Sequence, residues 1–194
     1  MHKLKAHSAL QSIAGQGQRA RHAAGNVVIE EVQVGGMIRL QGDGSDTAFC
    51  AAAQSVLGLA LPGPGETAQG NDITLYWLTP DEWLIVCTAE QEAELVQALS
   101  SLTSPKGCRA TAMADSRLVL HVQGDGVIDL LSQGCTLDFD SDVMAAGRCA
   151  VTRFAQVATL LHRKAEFHFE LMVDRSIALY CWDWLVESIR DQRV

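Results

Sequence analysis

The sequence lacks any apolar run long enough to cross a membrane, since a spanning helix needs roughly 18 consecutive apolar residues. It also lacks the continuous apolar stretch of a secretory signal near residue 1. Basic residues are few: 15 Lys and Arg stand against 23 Asp and Glu, a formal net charge of -8. This balance argues against nucleic acid as a main partner, and together with the missing apolar runs it predicts a cytoplasmic protein with no membrane partner.

No pair of cysteines has the C-x-x-C spacing of a metal or redox site. The six cysteines are Cys50, Cys87, Cys108, Cys135, Cys149 and Cys181. Without a secretory signal a disulfide framework has little support. We therefore predict six reduced and mostly buried thiols.

No acidic residue occurs in the first 26 positions. The charged residues of this segment are Lys3, Lys5, Arg19 and Arg21, which leaves eleven bases against 23 acids in the rest. We predict that residues 1–26 form a flexible basic N-terminal arm, with a transit peptide or an arm that orders on a partner subunit as alternatives. Residues 27–194 are predicted to form one domain, because 48% hydrophobic residues suffice for a sizeable core.

The tetrapeptide Gln-Gly-Asp-Gly occurs twice, at residues 41–44 and 123–126. Each copy follows a strand-like run and precedes a helix-like period. The predicted elements around the two copies have the same order, namely two strands, a helix, two strands and a helix. We therefore predict an α+β domain that duplicates a ββαββα unit, with halves over about 27–104 and 105–194.

The first half contains local signals for its elements. Ser45 is a candidate N-cap and Gly58 a candidate C-terminal stop for the first long helix, and Thr88 with Gln91 forms a capping box for the next. Between these helices, a type I turn at residues 79–82 predicts a hairpin. Its expected register gives one face of Leu75, Trp77, Leu84 and Val86 and another of Tyr76, Leu78, Trp83 and Ile85. A hairpin that is apolar on both faces must be covered on both.

The second half repeats this order with weaker signals. We predict its third and fourth strands in residues 149–163 and 167–173. The final helix is expected to start near Asp174 or Ser176 and to run through Asp191.

The residues single out no catalytic, cofactor or metal site. The two glycine loops could bind an anion, but neither supplies a base, and Asp43 and Asp125 favour a turn-and-cap role. His121, His162 and His168 are the best metal candidates, yet scattered histidines on strands are usually packing or surface groups. We therefore predict no metal, catalytic or cofactor-binding residue in this chain.

The last predicted helix is apolar over more of its circumference than one core requires. Its aromatic residues are Tyr180, Trp182 and Trp184. Either the helix is packed between the two halves, or these aromatic residues lie in an interface with another subunit. We take Tyr180, Trp182 and Trp184 as the candidate partner interface.

Several longer segments carry a family resemblance. They are WLTPDEWLIV, SQGCTLDFD, CAVTRFAQVATLLHR and FELMVDRSIALYCWDWL, and their order is that of the gamma subunit of heterotetrameric sarcosine oxidase. The chain resembles this family from about Val34 to Ile189. The resemblance implies two interlocked ferredoxin-like halves, as in the folate-binding domain of glycine-cleavage T-protein and the N-terminal domain of a tRNA-modifying GTPase.

The resemblance also implies a function. It predicts a non-catalytic subunit that stabilises a complex with alpha, beta and delta subunits, in which sarcosine is oxidatively demethylated in a tetrahydrofolate-linked reaction. FAD, FMN, NAD, tetrahydrofolate and zinc would be bound by the other subunits, and this chain would bind no cofactor. The alternatives are a stand-alone folate-binding or aminomethyltransferase-like protein, and the matching subunit of an N-methylglutamate or dimethylglycine dehydrogenase.

Overall fold

A computed structural model describes residues 8–15, 17–104 and 106–191. In this part of the chain the α-helices are Gln11–Ala14 (α1), Thr47–Leu57 (α2), Ala89–Ser100 (α3), Val127–Gly134 (α4) and Ala178–Asp191 (α5). The strands are Arg21–Ala24 (β1), Val27–Val32 (β2), Gly36–Gln41 (β3), Thr67–Gln69 (β4), Thr74–Thr79 (β5), Glu82–Cys87 (β6), Arg109–Ala112 (β7), Arg117–Gln123 (β8), Cys149–Phe154 (β9), Val157–Ala165 (β10) and His168–Asp174 (β11). Short 3-10 turns at Ala114–Ser116 and Arg175–Ile177 precede β8 and α5.

The strands form two sheets with the same internal order. One sheet has the order β1-β2-β8-β11-β10-β9 and the other β4-β5-β6-β3-β7. In one sheet, β3, β6 and β5 of the first half adjoin one another, and β7 of the second half pairs with β3. In the other sheet, β8, β11 and β10 of the second half adjoin one another, and β2 of the first half pairs with β8. This exchange of first strands confirms the predicted duplicated α+β fold of two interlocked halves.

Each half also contains a strand that the sequence analysis did not predict. β4 and β9 are edge strands that precede the third predicted strand of their respective halves. The loop composition around residues 60–70 concealed β4, which has only three residues. The repeated unit is therefore two strands, a helix, three strands and a helix.

The chain divides into two compact units. The first takes residues up to Gln33, Asp115–Ala146 and residues from Val151 onward, and the second takes Val34–Ala114 and Gly147–Ala150. These units do not follow the boundary expected near residue 104. The strand exchange is the reason, because β2 and β7 each leave the half in which they occur.

The structure also differs from the expected arm over residues 1–26, of which residues 1–7 and 16 lie outside the described part. Leu10 is fully buried. Strand β1, which lies within the expected arm, pairs with β2. The buried carboxylate of Glu31 explains why this segment packs against the sheet. It accepts hydrogen bonds from the Ala20 amide and the Arg19 guanidinium, both at 3.1 Å, and from the Ser8 hydroxyl. One buried acid thus holds Ser8, Arg19 and Ala20 against β2.

The second unit has a core on one face of its sheet. Helices α2 and α3 are amphipathic, and their apolar residues Phe49, Ala53, Leu57 and Leu99 join a buried cluster with Ile38, Leu40, Leu75, Trp83, Ile85 and Cys87. The predicted capping box of α3 is present, and Gly58 ends α2 in the left-handed conformation. The N-cap of α2 is Asp46, which accepts from the Ala48 amide, so the prediction of Ser45 as cap was wrong.

The register predicted for the β5–β6 hairpin was also wrong by one residue. Trp77 pairs with Trp83 and Thr79 pairs with Glu82, so Leu78 is an extra residue on β5. A bulge of this kind moves every preceding side chain to the other face. Leu75, Trp77, Trp83 and Ile85 therefore share the helix-covered face, and the opposite face still buries Tyr76, Leu78 and Leu84 within the chain.

The segment predicted as one strand over residues 149–163 is two strands, β9 and β10. They are joined at Ala155 and Gln156, which have positive φ values of 47° and 69°. Sequence signals for such a turn are glycine or asparagine, and neither is present. The turn is held by its surroundings, because the Ala155 amide donates to the Gly134 carbonyl and the Arg153 side chain donates to the Gln156 carbonyl.

Candidate functional site

The first Gln-Gly-Asp-Gly loop is a closed polar network. Asp43 Oδ1 accepts from the amide and the hydroxyl of Ser45 at 3.0 and 2.6 Å. Lys106 Nζ lies 3.2 Å from Asp43 and 3.1 Å from Asp81 in the β5–β6 turn. The Ser45 hydroxyl, followed by its amide, lowers the pKa of Asp43. The carboxylate occupies the place that an anion would take, as the sequence predicted for this loop.

Among the residues that the structure describes, the second loop has no matching network. Asp125 is exposed, and Gly126, the N-cap of helix α4, provides no side-chain hydrogen bond to the first turn. Asp43 thus has the predicted turn role, but the helix after it is capped by Asp46, so the predicted capping role was wrong for Asp43 and for Asp125. The repeated tetrapeptide marks equivalent positions in the fold rather than two copies of one binding loop.

The three candidate metal-ligating histidines lie on the sheet of the first unit. His121 Nε2 is 2.9 Å from Glu170 Oε2, and His162 Nδ1 is 3.4 Å from Glu170 Oε1. His168 packs edge-on against His121, with 4.7 Å between ring centroids. Within the described ranges, no group of three or more His, Cys, Asp or Glu side chains is arranged to hold a metal ion. The cluster is a row of cross-strand ionisable pairs.

The environment of His168 predicts a loss of stability at acid pH. Burial, followed by the charge of His121, lowers the pKa of His168 below its ordinary 6.5, and Lys164 adds to this effect while Glu170 opposes it. The unfolded chain thus takes up the proton more readily, so the free energy of unfolding falls as the pH drops through 6.5 towards the lower folded-state pKa. Urea unfolding between pH 7 and pH 5 should show this fall, and His168→Gln should flatten it. An unchanged slope in His168→Gln would contradict the assignment.

All six cysteines are free thiols. Burial raises the pKa of Cys87, Cys149 and Cys181 to about 11 in each case. We expect these three to resist Ellman's reagent at pH 8 in the native protein, because the thiolate is the reactive form. The half-buried Cys50 and Cys108 should react first, and all six should react in denaturant. Rapid labelling of Cys149 in the native protein, detected by mass spectrometry of peptides, would contradict the expectation that burial protects this thiol.

The three aromatic residues of α5 have different environments. Trp182 is only 3% exposed, so it has almost no surface left for a partner. Trp184 is half-buried and packs edge-on against Phe154, with 4.9 Å between centroids. Tyr180 is 49% exposed, and its hydroxyl donates to the Ala155 carbonyl at 2.9 Å. Of the predicted interface residues, Tyr180 therefore offers the largest free surface, next to the 45% exposed Leu179.

Sequence reasoning missed the buried charge of Arg163, as it missed that of Glu31. Arg163, only 3% exposed, donates from Nη1 to the carbonyls of Phe139 and Met144 and from Nη2 to that of Glu166. Its guanidinium lies over the Phe169 ring, 5.4 Å from the centroid. An arginine in a β-hairpin gives no sequence signal for this role, since its partners are backbone carbonyls up to 24 residues away.

A family model described as sarcosine oxidase, gamma subunit family, matches residues 41–191, which is most of the chain. The chain belongs to this family. The predicted resemblance is thereby confirmed. The exposed Tyr180 and the buried Arg163 of this chain both lie within the matched residues. A search of curated proteins gives no match.

Solved structures show the same fold. A chain of the heterotetrameric sarcosine oxidase from Corynebacterium sp. U-96, in complex with pyrrole 2-carboxylate, is similar over 97% of this chain and 97% of its own length, with a TM-score of 0.84 and 21% identity. The glycine cleavage system aminomethyltransferase T from Bartonella henselae is similar over 91% of this chain and 55% of its own, with a TM-score of 0.62 and 16% identity. The gamma-subunit family member thus has the predicted T-protein-like fold. None of its described helices is long and apolar enough to cross a membrane.

Proposed function

We propose that this chain is the non-catalytic gamma subunit of a sarcosine oxidase complex and stabilises that assembly by packing against larger subunits. The family match over residues 41–191 carries the proposal. The likeness to a chain of a heterotetramer over 97% of both lengths supports it. In the described residues, Asp43 of the candidate anion loop is hydrogen-bonded to Ser45, and His121 of the histidine row is paired with Glu170.

The partners we propose are alpha, beta and delta subunits in the cytoplasm. The complex would oxidatively demethylate sarcosine in a tetrahydrofolate-linked reaction, and FAD, FMN, NAD, tetrahydrofolate and zinc would be held by those other subunits. The contribution of this chain would be a binding surface. An uncharged aromatic surface on a rigid helix is suited to that task, because such residues supply large contact area at small entropic cost.

Tyr180 is the centre of the surface that we propose for α5. Its ring is half-exposed, and the hydrogen bond to Ala155 fixes its position. Leu179 extends the apolar area, and the exposed Asp183 and Glu187 border it on the same helix. An apolar centre with a charged border is the usual arrangement of a protein interface.

Co-expression with the alpha, beta and delta subunits of the same organism tests the proposal. We expect one complex of fixed stoichiometry in size-exclusion chromatography with light scattering. Recovery of this chain only as a free monomer would argue against it. A folate titration of the isolated chain separates the alternative, because a stand-alone folate-binding protein would bind at micromolar concentration and a structural subunit would not.

A Tyr180→Ala exchange tests the α5 surface within that complex. We expect the dissociation constant for assembly to rise on the order of 10-fold, since a central tyrosine of an interface is often a large contributor. Tyr180→Phe is the matched control, because it keeps the ring and removes only the hydrogen bond to Ala155. Equal affinity of the Ala variant and the wild type would exclude Tyr180 from the interface.

A further inference from the structure

The first unit contains an open cleft of about 480 Å³, and Tyr180 is not among the residues that line it. Its walls come from α4, the loop after it and the tip of the β10–β11 hairpin. Residues that line it include Ile128, Leu137, Asp138, Asp140, Arg163 and Phe167. The volume is in the range of sites that bind a ligand or a protruding side chain.

Arg163 gives this cleft a fixed shape. Its three hydrogen bonds, of 2.8 to 3.0 Å, tie the loop at Phe139 and Met144 to the hairpin at Glu166. The loop and the hairpin tip are therefore held together by one buried side chain. A surface whose walls are fixed in advance loses little entropy when a partner binds.

The same arginine leaves one donor unused. Arg163 Nε is buried and has no hydrogen-bond partner among the described residues. A buried donor without an acceptor is costly, so the three hydrogen bonds of the Nη atoms must offset this cost to keep Arg163 in the wall of the cleft.

The rim of the cleft is acidic and partly apolar. Asp138, Asp140 and Glu166 are exposed, and Arg163 is the sole base among the lining residues. The carboxylates of Asp138 and Asp140 are positioned, because each accepts a hydrogen bond of 2.9 Å from the amide two residues later. Phe167 is 40% exposed beside them. Its occupant must therefore combine positive charge with apolar surface, as lysine and arginine side chains do.

We propose that this cleft binds a basic polypeptide segment of a partner subunit, with a lysine or arginine side chain at the acidic rim and its stem against Phe167. The inference rests on the proposed function, since it assumes that a partner subunit exists. It adds a second contact surface to the one at Tyr180. Charge complementarity identifies the partner segment as basic, because the exposed carboxylates of Asp138, Asp140 and Glu166 border the cleft.

The test compares two pairs of neutralising exchanges in the co-expressed complex. Asp138→Asn with Asp140→Asn removes two charges and keeps the side-chain oxygens that accept the loop hydrogen bonds. Glu90→Gln with Glu94→Gln removes two exposed charges from α3 and serves as the matched control. We expect the first pair to weaken assembly roughly 10-fold at 150 mM salt, to lose most of the salt dependence of the association rate, and to leave the melting temperature of the isolated chain unchanged.

Unchanged affinity and salt dependence in the Asp138/Asp140 variant would overturn the proposal, as would an equal effect of the control pair. A charge-reversed Glu166→Lys variant provides a second measurement, and normal assembly of that variant would also count against the cleft. If the wild type itself forms no complex, the proposed function fails. If the wild type assembles and the cleft variants assemble equally well, only the inference about the cleft fails.

Discussion

Replacement of Gly124 by alanine is expected to lower the free energy of unfolding by about 3 kcal/mol or more, the largest effect that we expect from a single methyl group in this chain. Gly124 has a φ of +121°, and an added Cβ would lie 1.7 Å from the carbonyl oxygen of Asn26. Both the backbone conformation and the close approach exclude a side chain. Urea unfolding followed by far-UV circular dichroism measures the loss.

Gly25→Ala is the matched control for this prediction. Gly25 also has a positive φ, +56°, but no atom lies within 4 Å of the position of an added Cβ. Its replacement should cost only the backbone strain, about 1–2 kcal/mol. Losses of equal size at the two glycines would show that the contact with Asn26 does not determine the requirement at position 124.

The glycines of the repeated tetrapeptide show what local sequence can and cannot predict. The pattern correctly predicted a turn between a strand and a helix in both halves. It could not predict why glycine is needed, because the excluding atoms come from distant segments. At Gly44 an added Cβ would lie 2.1 Å from the Pro80 carbonyl oxygen, and at Gly124 the obstacle is the Asn26 carbonyl. The same close approach of backbone thus occurs in both halves, at different glycines.

The order of the elements was more predictable than their registers. Apolar periodicity located the long helices and most strands, since burial of one face imposes it directly. The register of the β5–β6 hairpin depends on the extra residue Leu78, and the division of β9 from β10 depends on Ala155 and Gln156 in left-handed conformations. Neither feature follows from the local sequence. Contacts made elsewhere in the fold, such as that of Ala155 with Gly134, stabilise them.

The candidate surfaces were predictable only in part. The excess apolar residues of the last helix correctly indicated that much of it is buried, and the structure identifies Trp182 as interior and Tyr180 as exposed. The acidic cleft could not be foreseen, because it joins residues 138–141 to a hairpin tip 25 residues later. The alternating aspartates 138, 140 and 142 were its only visible signal, and a solvated loop has the same appearance.

Arg163→Met is expected to destabilise the first unit by about 3 kcal/mol, because hydrogen bonds from a charged donor to three backbone carbonyls are lost. Methionine keeps the apolar contact with Phe169 and leaves the carbonyls of Phe139, Met144 and Glu166 without this donor. The gain from no longer burying a charge offsets part of the loss. Urea unfolding of the isolated chain measures the change in the free energy of unfolding.

Arg153→Met is the control, since Arg153 is exposed and donates one hydrogen bond, to the Gln156 carbonyl. We expect it to cost no more than about 0.5 kcal/mol. Arg163→Lys should lie nearer to Arg163→Met than to the wild type, because a single ammonium group cannot reach three carbonyls that a planar guanidinium spans. In the native state, limited proteolysis should then cut the loop between Phe139 and Met144 faster in both Arg163 variants than in Arg153→Met. Equal stability and equal protease resistance in all three variants would show that the buried guanidinium does not hold the loop to the hairpin.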